Sequence, residues 1–411
     1  MNELYKDRRF YFILAANLLS SIGSGITMIA VPWLLVSKGD GATIFGYATI
    51  AMTVINFIMS PFIGQWIDRF SRKKMLMIGE AIGFLMILGF AISGFAGIEY
   101  GNWHYMILYG TGSFYYNLFY PGMFALNQEI FPKSVYKSLN GAMEIQGQLS
   151  SVIAGALAAL VIGKINLEWM LLFDAMTYIS AFCLFWAIPY VRGEAISENA
   201  DTFWLKLTEG YRYMKKRPKL FFFLMASFMP FIGVMVTNYL FPVYLSDVLK
   251  VDGSIYGAQS MVYGIGAVLA GLLIPVLSNK LGNQNSIVLT TLIYTMGISV
   301  IVFVKIVPLY LVFISLLAFG NAGTRVARNS YLMDSVPNQI VGRVDSLFRT
   351  IGLGIRVLLL TLFTYVNSEL QVHYSFYALA ALLITSLVIV IFTKNTSQKK
   401  ADIILKEVGQ S

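Results

Sequence analysis

Seven ionisable side chains fall inside strongly apolar stretches of the sequence: Glu80, Glu144, Asp174, Arg325, Arg328, Arg349 and Arg356. A carboxylate withdrawn from water can take up and release a proton, and a guanidinium, always charged, can pair with an anion. Arg356 lies about thirteen residues into its stretch, near the middle. Arg325 and Arg328 share another stretch with Asn321, one turn earlier on the same helical face. Glu80, Glu144 and Arg349 sit about two turns from one end of theirs, and Asp174 about two turns from the opposite end. The bland account pairs Arg349 with Glu80 or Glu144 and Arg328 with Asp334, and lets shallow side chains snorkel. It suits Glu80, Arg349 and Arg328 better than Arg356, which is too deep to reach the surface.

Other chemistries lack their residues. His104 and His373 stand at the outer ends of apolar stretches with no metal-ligand motif around them, and Cys183 is the single cysteine. No Gly-rich phosphate loop ending in Lys-Ser/Thr is present, and Gly264-x-Gly266 and Gly352-x-Gly354 lie within apolar blocks as packing features. No enzyme, catalytic residue, cofactor or metal is expected. The net charge of +9 sits in short loops, so no nucleic-acid partner is expected either.

The elements that must position these residues follow from composition. Hydrophobic residues make up 57% of the 411 and charged residues only 12%, where a soluble chain carries about a quarter. The apolar blocks run near the ~20 residues that span a bilayer core, without the alternation of a membrane β-barrel. Twelve spans are predicted, at about 10–36, 43–66, 74–97, 104–128, 138–163, 167–190, 219–245, 255–278, 284–304, 308–333, 343–366 and 372–393. The first is too long, and lacks the small-residue site, for a cleavable signal peptide. The one long connection splits the chain into an N-terminal six-helix bundle (1–190), a linker (191–218), a C-terminal six-helix bundle (219–394) and a tail (395–411). Bases concentrate in one alternating set of loops and at both termini, which places the termini, linker and tail in the cytoplasm of a multi-pass plasma (inner) membrane protein.

Within the linker, Trp204, Leu207, Tyr211 and Met214 recur at helical spacing beside Lys206, Arg212, Lys215 and Lys216. The pattern predicts an amphipathic helix on the inner leaflet, with a partner-binding helix as the alternative. Glu129-Ile-Phe-Pro132 recurs as Asp334-Ser-Val-Pro337, 205 residues on, each between an even-numbered span and the next. Gly147, Ser151, Gly155, Ala159 and Gly163 repeat every four residues along the fifth span, a stripe that lets helix backbones pack closely and slide.

The turn between spans two and three carries Asp68, Arg69, Arg72, Lys73 and Lys74 within seven residues. Its pattern, Gly64-x3-Asp68-Arg69-x2-Arg72-Lys73, resembles the loop signature of the major facilitator superfamily. Tyr120-Pro121-Gly122-Met123-Phe124-Ala125-Leu126-Asn127 and Val336-Pro337 with Gly342-Arg343-Val344 resemble its macrolide-efflux and enterobactin-exporter branch. Ser71 stands where the family usually has glycine. The resemblance implies an all-α membrane fold of twelve helices in two pseudo-symmetric bundles around a central cavity. It also implies that Asp68 meets the start of the eleventh span, so that Gly64, Asp68, Arg69, Arg72 and Lys73 form a gate; the alternative is a plain topogenic loop. Spans 1, 4, 7 and 10 would line the cavity with Asn17, Ser20, Ser24, Tyr115, Tyr116, Asn117, Tyr120, Asn238, Tyr239, Asn321 and Arg325, with Arg356 from the eleventh. An Asp174–Arg356 pair is disfavoured because the family's sixth span is peripheral.

The function so implied is secondary active export of a bulky amphipathic compound, drug or siderophore-like, by alternating access. The excess of deep bases tilts the substrate towards an anion. Coupling would be to a proton, with Glu144 the first candidate carrier and Asp174 the second. Uptake or lipid flipping on the same fold is the alternative. The expected partners are a small-molecule substrate, a coupling proton and the lipid bilayer, and the chain is expected to work as a monomer.

Overall fold

A computed structural model describes residues 3–190, 203–337 and 340–394, apart from the side chains of Glu3, Asp68, Lys137 and residues 203–207. Six membrane-length helices form the first bundle: α1 (Arg8–Val36), α2 (Gly41–Arg69), α3 (Arg72–Phe95), α4 (Asn102–Ile130), α5 (Tyr136–Val161) and α6 (Leu167–Ala187). A linker helix follows, α7 (Phe203–Lys215). The second bundle comprises α8 (Pro218–Ala226), α9 (Met229–Val243), α10 (Gly253–Leu281), α11 (Asn283–Ile301), α12 (Val307–Ser335), α13 (Val341–Glu369) and α14 (Val372–Thr393). Among the described residues, eleven segments are long and apolar enough to cross a bilayer, with Pro218–Leu249 counted as one. The twelfth is α4, also 29 residues long, whose asparagines and tyrosines lower its hydropathy. Apolar side chains such as Ile82, Leu85, Leu272 and Phe392 are exposed on the outside, as a helix facing lipid requires.

The seventh span is not one continuous helix. Pro230 has no N–H to give the carbonyl of Ala226, so the helix stops at Ala226 and restarts at Met229. The freed carbonyl is taken by the Ser386 hydroxyl of α14, 2.6 Å away. Two residues earlier, the carbonyl of Leu224 accepts from Ser227 Oγ (3.0 Å) and from Arg328 Nε (3.2 Å). The span then ends in a π-helical turn over Tyr244–Leu249, where Lys250 takes up φ +50°.

Each bundle is knit internally, α1 against α5 and α6, α3 against α6, α11 against α12. The bundles meet mainly along α5/α10 and α2/α13. The small-residue stripe of α5 forms the first seam over half its length. A Cβ on Gly155 would run into the backbone of Met261, one on Gly257 into that of Ala159, and one on Gly264 would lie 2.7 Å from Val152 Cγ2. Gly147 and Ser151, further along the stripe, line open space instead. The linker helix α7 packs on the start of α13: Glu209 pairs with Arg343, and a Cβ on Gly210 would lie 2.6 Å from the Arg343 carbonyl. Met214 is buried there while Tyr211 is exposed; the side chains of Trp204 and Leu207 lie outside the described residues.

The 205-residue repeat has a structural counterpart. Arg72, first residue of α3, reaches Glu129 at the end of α4 (3.5 Å), and Asn283, first of α11, reaches Asp334 at the end of α12 (2.8 Å). The same junction is built twice, ionic in one bundle and neutral-to-ionic in the other. Ser71 sits at the N-cap of α3 with extended backbone, its hydroxyl accepting from the Lys74 N–H at 3.4 Å. The equivalent position before α11 is Gly282 at φ +83°, so serine replaces glycine where the turn needs a cap and no positive φ.

Candidate functional site

The end of the molecule opposite the two termini is shut. Trp33 of α1 stacks on Tyr256 of α10 at 6.2 Å, and Phe45 of α2 meets Tyr239 of α9 at 5.9 Å. Gly46 of α2 packs against Thr364 of α13 so closely that a Cβ would overlap its side chain. Towards the terminal end the bundles part around a cleft with two wings that share Tyr116.

The first wing, about 880 Å³, lies among α1, α4, α5, α9, α10 and α12. Asn17, Tyr120, Asn238, Glu144 and Arg325 are in its wall. Glu144 of α5 and Arg325 of α12 join across the gap at 3.2 Å, with Gln148 Nε2 donating to the same carboxylate oxygen at 3.1 Å. Both side chains are substantially exposed, 64% for Glu144 and 42% for Arg325. Asn17 donates to Gln146 of α5 and accepts from Ser21 Oγ at 3.1 Å, which fixes its amide. The second wing, about 940 Å³, lies among α2, α4 and α13 and is lined by Asn56, Tyr109, Asn117, Arg349 and Arg356 among others. Asn117 donates to the Asn56 carbonyl and Asn56 to Ser113 Oγ, pinning α2 to α4.

Five positions expected in this wall are elsewhere. Ser20 and Ser24 are buried within the first bundle, Ser20 donating to Glu80 and Ser24 to the Ser20 carbonyl. Tyr115 is buried in the first bundle, its hydroxyl donating to Glu80 at 2.8 Å. Tyr239 is fully buried at the shut end, accepting from Asn367 Nδ2 at 3.2 Å. Asn321 stands behind the wall, donating to the hydroxyl of Tyr263, which does line the cleft. The cause is rotation about the helix axis: Tyr115 and Tyr116 are consecutive, so their side chains diverge by about 100°.

The expected ion pairs also resolve differently. Glu80 pairs with neither arginine; it is fully buried and held by Ser20 Oγ (3.1 and 3.2 Å) and Tyr115. Arg349 takes Asp345, one turn back on α13, at 2.7 Å. Arg328 is buried, 3.8 Å from Asp345 and set between the rings of Phe228 (4.6 Å) and Phe348 (5.3 Å), while Asp334 goes to Asn283. Asp174 is buried between α1 and α6, accepting from Thr27 Oγ1 at 2.6 Å. Arg356 has no carboxylate within 4.0 Å among the described residues; its Nη1 lies 3.8 Å from Met235 Sδ. Sequence reasoning underrated Glu80. The signal was there in Ser20 and Tyr115, polar residues of neighbouring spans at matching depth.

The charged turn is tied to its own bundle. Arg72 reaches Glu129 and the Ala125 carbonyl of α4, and Lys73 Nζ donates to the carbonyls of Trp186 (2.9 Å) and Ile188 (2.8 Å) at the end of α6. A cation there satisfies carbonyls left free at a helix C-terminus. Tyr190 adds a bond to Glu129 at 2.7 Å; burial pushes its hydroxyl up from the usual value, so it stays a donor. Arg69 lies over the ring of Phe70 at 5.9 Å. A Cβ on Gly64 would meet nothing within 4 Å. The Asp68 side chain lies outside the described residues.

A family model described as Major Facilitator Superfamily matches residues 13–358. Macrolide efflux protein A of Streptococcus pyogenes is 23% identical over 300 residues, 71% of each chain. The multidrug efflux pump Tap of Mycolicibacterium fortuitum is 22% identical over 397 residues, 92% of this chain and 94% of that one. In fold, a bacterial homologue of the iron transporter ferroportin in an inward-facing state superposes with a TM-score of 0.74 at 15% identity, over 94% of this chain and 98% of that one. An outward-facing structure bearing the same description gives 0.61 at 18% identity, over 94% and 99%.

Proposed function

Because the chain belongs to the major facilitator superfamily, and is thus a multi-pass membrane transporter of a small-molecule substrate, we propose that it exports bulky amphipathic compounds by proton-coupled alternating access. The observation that carries the reading is the cleft between the bundles, open at the terminal end and shut at the other by Trp33–Tyr256, Phe45–Tyr239 and Gly46–Thr364. With both termini in the cytoplasm of the plasma membrane, as the basic loops favour, this is an inward-open state. The efflux relatives support export, and tyrosines with a few polar points suit an amphipathic ligand. Asn17, Tyr116, Asn117, Tyr120, Asn238, Arg325 and Arg356 are the proposed contacts.

The Gly64–Lys73 turn is the proposed gate. Arg72 and Lys73 brace it on α4 and α6, and Asp68 is the residue proposed to engage the N-terminus of α13 when the open end closes. Glu144 is the proposed proton carrier, since protonation would release Arg325 and with it a strut between the bundles. Asp174 is the second candidate. The test is transport into and out of proteoliposomes under pH gradients of each sign, with substrates first picked by an export-and-resistance screen across compound classes in a deletion strain. Export driven by an inward proton gradient is expected. Accumulation driven by the opposite sign of coupling would replace the reading with uptake.

A further inference from the structure

Arg356 lies fifteen residues after the first residue of α13 and thirteen before the last, so it is about 20 Å from either end of the helix. Its side chain cannot snorkel that far. A guanidinium keeps its charge under all ordinary conditions, and an unpaired charge at mid-membrane depth costs several kcal/mol unless it meets a partner or water. The other three deep arginines have theirs: Arg325 has Glu144, Arg349 has Asp345, and Arg328 has Asp345 and two rings. Among the described residues Arg356 has only the thioether of Met235, and its buried Nε–H has no hydrogen-bond partner there.

The α2/α13 wing that Arg356 lines is therefore electrically lopsided. Asp345, the nearest acid on the same helix, is shared between Arg328 and Arg349. Across the wing, Thr49 and Thr53 donate to carbonyls of their own helix, and the amides of Asn56 and Asn117 are spent on each other and on Ser113. Of the two arginines in the wing, Arg349 is held by Asp345, and Arg356 has no carboxylate within 4.0 Å among the described residues. The remaining surface offers the rings of Tyr109 and Tyr116. The Glu144–Arg325 wing, by contrast, is internally neutralised.

We propose that the α2/α13 wing is a binding site for an organic anion with an apolar body, its carboxylate, sulfate or phosphate group held by Arg356 and its ring or chain against Tyr109 and Tyr116. The proposal rests on the cleft being a substrate site, and narrows its cargo. The same chemistry could be supplied by a soluble organic anion or by the headgroup of an anionic lipid.

The probes are salicylate and salicylamide, near-isosteric and differing by one charge, added at millimolar concentration to the purified full chain while thermal unfolding is followed. In neutral detergent, salicylate should raise Tm by about 2 °C or more as it approaches saturation, and salicylamide should not. Arg356→Gln should abolish the salicylate shift, and Arg356→Lys, which keeps the charge but not the planar fork, should retain part of it. Lys280→Gln, which removes a charge at the end of α10 outside the cleft, should leave it intact. The wild-type comparison of the two probes needs no variant, so misfolding of Arg356→Gln leaves the test standing. In nanodiscs, loss of the shift when phosphatidylglycerol replaces phosphatidylcholine assigns the site to a lipid headgroup, and persistence in both assigns it to a soluble anion. Equal shifts from both probes, or a salicylate shift unchanged in Arg356→Gln, overturn the proposal. Binding is read without transport. Salicylate binding through Arg356 in a protein that transports nothing would refute the export reading alone, and coupled export without that binding would refute this one alone.

Discussion

Replacing Glu144 by glutamine separates two roles that the structure superimposes. The carboxylate is a strut, 3.2 Å from Arg325 across the cleft, and it is the proposed proton carrier. The strut is weak. Two charges at that distance attract by about 1.3 kcal/mol in water. With side chains 64% and 42% exposed, ordering and salt reduce the net to about 0.5–1 kcal/mol. Losing the strut alone therefore changes any one conformational equilibrium by no more than about five-fold. Loss of the proton carrier is not bounded in this way. In proteoliposomes, Glu144→Gln should reduce pH-gradient-driven flux to background while substrate counterflow, which moves no net proton, stays within about five-fold of wild type. Gradient-driven flux within five-fold of wild type would remove Glu144 as the carrier. Loss of counterflow by about a hundred-fold in a folded protein would place Glu144 in substrate binding and refute the partition.

Four further outcomes are expected. Asp68→Asn should abolish transport while leaving expression intact; unchanged flux would reduce the turn to a topological signal. Arg328→Met removes a buried cation from the Leu224 carbonyl, Asp345 and two rings, and should cost about 2–4 kcal/mol, read as a fall in Tm that Arg328→Lys does not rescue. Gly155→Leu forces a side chain against the backbone of Met261 and should cost about 1–3 kcal/mol by overpacking, with transport lost more completely than stability; normal transport would show that the α5/α10 seam need not stay close. Asp7 caps α1 and binds Arg9, which holds its carboxyl below the usual range. A depressed pKa means the cap contributes above about pH 4 and is lost as the pH falls through the lowered value. Faster amide exchange at residues 8–10 in Asp7→Ala, at fixed pH, measures it; unchanged exchange would remove the cap.

Much of the fold was legible because length and apolarity decide a membrane span almost alone. α4 is legible as a span at about 104–128, although its tyrosines and asparagines blunt the signal. The break in the seventh span was not anticipated. Pro230 is visible in the sequence, but a proline bends some helices and divides others, and here Ser386 and Arg328, 156 and 98 residues further on, take the stranded carbonyls. The site was legible in part for a related reason. Residue type and depth select candidates, while rotation of each helix about its axis decides which way they face. Tyr116 lines both wings and Tyr115 lines neither. Pairings were hardest, because a pair depends on two rotations at once; Glu80, Arg349 and Arg328 all chose partners other than those expected.

The glycine seam between α5 and α10 sets a gearing ratio. Backbone pressed on backbone at Gly155 and Gly257 has little to compress and no side chain to rearrange, so it favours rolling over sliding. Glu144 lies eleven residues from Gly155, about 16 Å along the helix. A motion that tilts the axis of α5 by about 10° about that contact would swing Glu144 by roughly 3 Å over this lever arm, comparable with the 3.2 Å that separates it from Arg325. A rotation small enough to leave the shut end nearly undisturbed is enough to make or break the strut. The contact is in this sense a pivot, with its longer lever arm on the cleft side.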